Sequence, residues 1–286
     1  MEVRERAPAK LNLYLHVVGR RDDGYHLLDS LVAFVDIADE VSVAPASDLS
    51  LRIAGPFAVS LLGETGENLV HRAARLLAAK LRRAPRAALR LEKRLPVASG
   101  IGGGSSDAAA ALRALRALWR ADLPDAVLGD LALALGADVP VCLRQRAAYL
   151  GGIGERIEPA PALPPTSVVL ANPGIALPTA AVYARRAGAF SEPARFAEAP
   201  ADAAALAALL AARRNDLAEA AQEIVPAIAD ILAALAATPG ALLARMSGSG
   251  ATCFALYADA RAAEDAAQSL AAAHPRWWVK AGALLP

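Results

Sequence analysis

The segment that most restricts the fold of this 286-residue chain is Pro96-Val97-Ala98-Ser99-Gly100-Ile101-Gly102-Gly103-Gly104-Ser105-Ser106-Asp107. It follows a short strand-like run, Ala87 to Glu92. It opens a helical pattern from about Asp107 to Arg120, whose apolar stripe is Leu112, Leu115, Leu118 and Trp119. A strand, a glycine-rich turn and a helix in that order make an α/β element that favours anions. Glycine lets the backbone approach a polyanion closely, and the amide groups at a helix start face it. Ser105 and Ser106 can cap the helix, donate to phosphate or help hold a metal ion. The P-loop pattern fails because no Lys-Ser/Thr follows the last glycine. The dinucleotide pattern fails because Ser105 stands at its third glycine. A flexible turn is the plain alternative, and four glycines set tightly between strand and helix favour phosphate binding over it.

The rest of the chain reads as a helix-rich α/β protein. Leu11 to Val17 alternates as a strand, with Leu11, Leu13, Leu15 and Val17 on one face and Lys10, Asn12, Tyr14 and His16 on the other. That second face could meet solvent or line a cleft. Strands are also expected at Leu31–Val35, Glu40–Val43, Ser167–Ala171 and Thr252–Tyr257. Helices are expected over 68–81, 124–135, 202–212, 226–237 and 260–273, several of them alanine-rich. The length suggests two domains, and the proline-rich stretch near residue 160 divides them into 1–160 and 161–286.

Charge and special residues narrow the function. Nine basic residues and one acid lie between Arg72 and Arg94, yet the whole chain carries a formal net charge of only +1. No aromatics interleave that run, so it is expected to be a solvated face rather than a nucleic-acid surface. The uncharged stretch from Pro159 to Tyr183 contains too many prolines for a spanning helix, and no signal peptide is recognisable, so a cytoplasmic protein without a membrane partner is expected. Cys142 and Cys253 lie outside any CxxC pattern. The histidines His16, His26, His71 and His274 lack metal-site spacing, so no zinc site is expected. Asp138, in Gly136-Ala137-Asp138-Val139-Pro140, is either a turn residue or an acid with Lys10 as its partner. Tyr25 and His26 could stack on or hydrogen-bond a base, or simply form a surface loop.

Together these segments resemble the GHMP kinase superfamily. Ala7-Pro8-Ala9-Lys10-Leu11-Asn12-Leu13 is similar to its first motif, Pro96 to Asp107 to its ATP loop, and Ser247-Gly248-Ser249-Gly250-Ala251-Thr252 to its third motif. A finer resemblance rests on Asp23-Gly24-Tyr25-His26-Leu27-Leu28-Asp29-Ser30, Gly136 to Pro140, and Gly151-Gly152-Ile153-Gly154-Glu155. Asn172-Pro173-Gly174, Leu177-Pro178-Thr179-Ala180 and Asn215-Asp216-Leu217 also fit. Ser99 and Ile101 depart mildly from the ATP loop, where Gly and Leu are more usual.

The resemblance implies two α/β domains with the active site in the cleft between them, and ATP as co-substrate, with magnesium arriving on it. The acceptor it implies is a CDP-linked methylerythritol, phosphorylated on its 2-hydroxyl. It further implies Lys10 and Asp138 as catalytic pair, residues Pro96 to Ser106 on the ATP phosphates, and Asn68 and Lys93 at the adenine pocket. Asn12 is implied at the methylerythritol hydroxyls, and Tyr25, His26 and Tyr183 around the cytosine. A monomer or homodimer is consistent with all of this. Two alternatives stay open. One is another GHMP kinase acting on homoserine or mevalonate, whose acceptors have no pyrimidine for Tyr25, His26 and Tyr183. The other is a non-catalytic nucleotide- or RNA-binding module supported by the basic run.

Overall fold

The computed structural model describes residues 1–61 and 68–286. The chain forms two compact units. Unit 1 comprises Met1–Ala9, Ala38–Val97 and Gly102–Gln145; unit 2 comprises Lys10–Ile37, Ala98–Ile101 and Arg146–Pro286. The proline-rich stretch near residue 160 lies wholly within unit 2, so the compact units do not divide there.

Unit 1 is built on an open sheet covered by helices. The end of β2 (His26–Ala44) pairs antiparallel with β4 (Ala87–Glu92) from Glu40 opposite Glu92 to Ala44 opposite Ala88. On the other edge of β4, β3 (Leu49–Ala54) runs parallel. Among the described residues four α-helices follow in the order of the chain: α1 (Leu69–Lys80), α2 (Gly103–Leu118), α3 (Asp125–Leu135) and α4 (Val139–Arg144). The alanines expected to favour helix also close the gaps between helices. Ala73, Ala74 and Ala78 of α1 and Ala108 to Ala111 of α2 are all buried, and these two helices pack together.

Unit 2 contains β1 (Val3–Arg20) from Lys10 onward, and the first part of β2. Leu28 to Val32 of β2 pair antiparallel with β5 (Ala148–Gly152), and β5 pairs with β6 (Arg156–Pro159). A second, antiparallel sheet has the order β10-β7-β9-β8, from β7 (Ser167–Asn172), β8 (Leu243–Met246), β9 (Cys253–Tyr257) and β10 (Trp278–Ala283). Its helices are α5 (Thr179–Arg185), α6 (Ala203–Ala211), α7 (Ala218–Ile224), α8 (Ala227–Ala236) and α9 (Ala260–Ala273). Ile228, Ile231 and Leu235 of α8 and Ala263, Ala266 and Leu270 of α9 join Val169, Cys253 and Ala255 in one core. No helix among the described residues is long and apolar enough to cross a membrane.

Several expectations are corrected here. The two strands expected at 31–35 and 40–43 are one continuous strand, β2, because residues 36–39 keep strand geometry despite the charges of Asp36 and Asp39. Of the two alternatives for the polar face of β1, open solvent is excluded. Lys10, Asn12, Tyr14 and His16 are all buried, each polar group being sheltered by the segments packed on it. α2 begins at Gly103 rather than Asp107, so half of the glycine-rich segment is helix.

Candidate active site

In unit 1 the glycine-rich segment delivers an open helix start. Gly102 is the N-cap of α2 in a left-handed conformation (φ 63°), and no side chain caps the helix. The first bond of the helix runs from the Ser106 amide to the Gly102 carbonyl at 2.9 Å. The amide groups of Gly103, Gly104 and Ser105 therefore have no acceptor inside the helix, and with the helix dipole they favour an anion. Gly104 is exposed, and Gly103 and Ser105 are half-buried. Ser106 has a different place from the one expected. It is buried, its hydroxyl donates to the Pro8 carbonyl at 2.7 Å, and it stands 3.3 Å from Cys142 Sγ. Its single hydroxyl hydrogen is committed inside the core rather than to a phosphate.

Lys93, expected at the border of an adenine pocket, is taken up by two carboxylates. Its Nζ lies 2.5 Å from Asp39 Oδ2 and 2.6 Å from Asp107 Oδ2, with all three side chains almost fully buried. Asp39 Oδ1 accepts from the amides of Arg94 at 2.5 Å and Leu95 at 2.8 Å. Asp107 Oδ1 is buried without a hydrogen-bond partner among the described residues. Burial raises the Asp107 pKa to about 7; the Lys93 charge opposes that and the Asp39 charge adds to it. Burial also works against the Lys93 ammonium, but Asp107 and Asp39 outweigh it and hold its pKa above the ordinary lysine value. Sequence reading missed Asp39 because nothing in Asp36-Ile37-Ala38-Asp39 marks it as a core carboxylate.

Asn68 is the N-cap of α1, its Oδ1 accepting from the Val70 amide at 2.9 Å. Asp138 stands half-buried at the N-cap position of α4, followed by Pro140 in the first turn, but its side chain makes no capping bond to that helix. A capping role therefore does not account for this acid.

In unit 2 the other half of the glycine-rich segment is fastened by four successive carbonyls. Ala98 O accepts from the Leu177 amide (3.3 Å), Ser99 O from the Thr252 amide (3.1 Å), Gly100 O from Ser247 Oγ (3.0 Å) and Ile101 O from the Lys10 amide (2.9 Å). All three sequence motifs of the family thus meet at residues 98–101. Gly100 has φ +75°, and a Cβ built on it would strike the backbone of Ser247 and Gly250. Gly100→Ala is therefore expected to cost more than about 1 kcal/mol in a thermal melt. Gly103, by contrast, has ordinary backbone angles, and its Cβ would lie 3.1 Å from the Lys93 Nζ, which Asp39 and Asp107 hold in place.

Lys10 and Asn12 are neighbours on β1, both about 4% exposed. Asn12 Nδ2 donates to Ser30 Oγ at 2.8 Å, and its backbone amide donates to Ser247 Oγ at 3.1 Å. His26, the first residue of β2, stacks on Tyr183 of α5, with ring centroids 5.1 Å apart and planes at 27°. Burial lowers the His26 pKa, and the Arg20 and Arg186 charges lower it further, so the ring is neutral at pH 7. Tyr25 is 60% exposed.

Two family descriptions match this sequence, the GHMP kinases N terminal domain over residues 68–146 and the GHMP kinases C terminal over 196–276. The chain is also 54% identical over 279 residues to the 4-diphosphocytidyl-2-C-methyl-D-erythritol kinase of Paramagnetospirillum magneticum, covering 98% of this chain and 97% of that one. This chain is a GHMP kinase. Within the family it is equally similar, at 54% identity over 278 residues, to the protein of the same name from Cereibacter sphaeroides, with 96% of each chain covered. Among solved structures, a 4-(cytidine 5'-diphospho)-2C-methyl-D-erythritol kinase superposes with a TM-score of 0.78 at 37% identity over 99% of both chains. The homoserine kinase of Cytophaga hutchinsonii, at 17% identity and a TM-score of 0.73 over 99% of this chain and 95% of that one, shares the fold. The mixed α/β class expected from the sequence is therefore that of the GHMP kinases.

Proposed function

We propose that this GHMP kinase transfers the γ-phosphoryl group of ATP to the 2-hydroxyl of 4-diphosphocytidyl-2-C-methyl-D-erythritol, giving the 2-phosphate and ADP. This is a step in non-mevalonate isoprenoid precursor synthesis. The observation that carries the reading is the 54% identity over nearly the whole of both chains to relatives of that name. The uncapped start of α2 supports it, because three amides without a helical acceptor suit the phosphates of a nucleotide. Magnesium would supply charge neutralisation on those phosphates when bound, and with Ser106 committed to the Pro8 carbonyl, Ser105 is the hydroxyl of that pair left to hold it.

In the proposed reaction the acceptor oxygen forms a bond to the γ-phosphorus while the bond to ADP breaks. Its proton passes to the Asp138 carboxylate, which stands half-buried at the start of α4. The Lys10 ammonium favours negative charge on the attacking oxygen. Asn12, next along the same strand face, addresses the acceptor's hydroxyl groups. The neutral His26 ring, stacked on Tyr183, offers one donor and one acceptor nitrogen to a pyrimidine edge, and exposed Tyr25 offers a ring face. The buried thiols of Cys142 and Cys253, which form no disulfide, suit the cytoplasm.

The test is turnover with ATP and this acceptor in an ADP-coupled assay, with the product identified by phosphorus NMR. Homoserine and mevalonate serve as comparison acceptors. Faster turnover of either one would overturn the acceptor assignment. Tyr183→Ala and Tyr25→Ala are each expected to weaken acceptor binding by about 1–3 kcal/mol, as loss of a stacking partner does. ATP affinity, measured by calorimetry on the same variants, should stay at the parent value.

A further inference from the structure

The Asn215-Asp216-Leu217 run has no part in the reaction as derived above, yet in unit 2 it is laced to the segments that do. Asp216 N donates to Leu15 O at 2.8 Å, Leu15 N donates to Arg214 O at 3.0 Å, and Asp216 Oδ2 accepts from the Val17 amide at 2.7 Å. These bonds fix the run along β1, the strand that carries Lys10 and Asn12. Asn215 is 7% exposed and fully used. Its Nδ2 donates to the carbonyls of Met246 (2.9 Å) and Gly248 (2.8 Å), and its Oδ1 accepts from the Leu217 amide (2.9 Å). A flipped amide would set oxygen against two carbonyls, so the orientation is determined by the partners.

The two carbonyls that Asn215 holds bracket Ser247. Its Oγ accepts from the Asn12 amide at 3.1 Å and donates to Gly100 O at 3.0 Å. There is no slack beside it: a Cβ on Gly248 would stand 2.7 Å from Gly100 O and 3.3 Å from Asn12 Oδ1. One hydroxyl thus joins the strand of the proposed acceptor site to the glycine-rich segment, and one buried amide holds that hydroxyl's backbone in place.

We infer that Asn215 is a positioning residue, whose amide fixes the Met246–Gly248 backbone so that Ser247 keeps Asn12 and Gly100 in one register. The inference rests on the proposed function for its kinetic consequence. The competing role is local: Asn215 simply starts α7 through its bond to Leu217.

The experiment compares the full-length parent with Asn215→Ala, Ser247→Ala and the double variant. It measures kcat and both KM values with ATP and the CDP-linked acceptor, and amide hydrogen exchange without ligands. Asn215→Ala is expected to lower kcat by about 10–100-fold, the scale of a small misplacement of reacting groups, with both KM values within about threefold. Exchange at the Asn12 amide should accelerate. The double variant should lose no more than the worse single one, because the two residues act as one device. Should Asn215→Ala unfold, Asn215→Ser keeps a hydroxyl oxygen that can accept from the Leu217 amide and removes the two amide donors without adding charge, and the same results are expected of it. Asn12 exchange unchanged from the parent, or kcat within about threefold of it, overturns the inference and leaves the local role. A parent that does not turn over the acceptor sinks the proposed function instead, and the exchange result alone then decides whether Asn215 holds this register.

Discussion

Asp138→Asn is expected to lower kcat by about 10²–10⁴-fold, with ATP affinity and melting temperature at the parent values. An alcohol at neutral pH is a weak nucleophile, and the step gains from a carboxylate that takes the proton as the oxygen attacks. Asparagine has nearly the same size and polarity but cannot accept that proton. Because Asp138 makes no capping bond to α4, the substitution removes no helix cap, so a loss of activity cannot be assigned to a frayed helix. Lys10→Ala is expected to act in the same direction, and the pair to be less than additive. Steady-state kinetics beside a thermal melt decide the matter. Turnover within tenfold of the parent, or a loss that tracks unfolding, removes Asp138 from the proton-transfer role.

The second large effect is on stability. Lys93→Met is expected to destabilise the protein by about 3–5 kcal/mol, because it leaves two carboxylates buried without their shared cation. Surface screening does not soften this, since the Lys93, Asp39 and Asp107 side chains are 3%, 0% and 4% exposed. The effect has a pH signature. Burial raises Asp107 from 3.8 to about 7, so between those values the native state keeps a proton that the unfolded chain gives up. The stabilisation from that proton is complete below the lower value and is lost as the pH climbs toward the upper one. The gap between parent and Lys93→Met should widen above the upper value, where the parent levels off while the variant, whose Asp107 has lost the cation that lowers its pKa, continues to lose stability. Asp107→Asn should flatten the parent's slope while retaining an acceptor for Lys93. Melting curves between pH 5 and pH 8 test all three statements, and a parallel slope for parent and Asp107→Asn would refute the assignment.

The difference between what the residues announced and what only coordinates reveal has physical causes. Period-two alternation was plain in β4 and period 3.6 in α1, α6, α8 and α9, because each buries one regular face, whereas β7 and β9 are short runs buried nearly throughout. The short α4 was hidden, since six residues give barely more than one turn and Asp138-Val139-Pro140 also reads as a turn. The three family motifs were legible as spacings, but their meeting at residues 98–101 depends on backbone carbonyls, which carry no residue code. Lys93 misled for a related reason. A lysine beside a glycine loop looks available to a ligand, and the two acids that claim it are 54 and 14 residues away in the chain. His26 and Tyr183 were grouped only through the family resemblance, as contacts to one base, and their stacking on each other had no signal in the sequence.

The division of the chain between its two units also bears on how such a protein can change by recombination. The backbone passes from one unit to the other at 9/10, 37/38, 97/98, 101/102 and 145/146. A single crossover after Gln145 between two relatives leaves unit 1 from one parent, but unit 2 then receives Lys10–Ile37 and Ala98–Ile101 from that parent and the remainder from the other. The carbonyls of residues 98–101 must then find the amides of Leu177 and Thr252 and the hydroxyl of Ser247 in a foreign sequence. No single breakpoint gives both units one ancestry each. Unit 2 of this chain is thus not a cassette that can be exchanged alone; it is inherited with the strands and the glycine segment threaded through it.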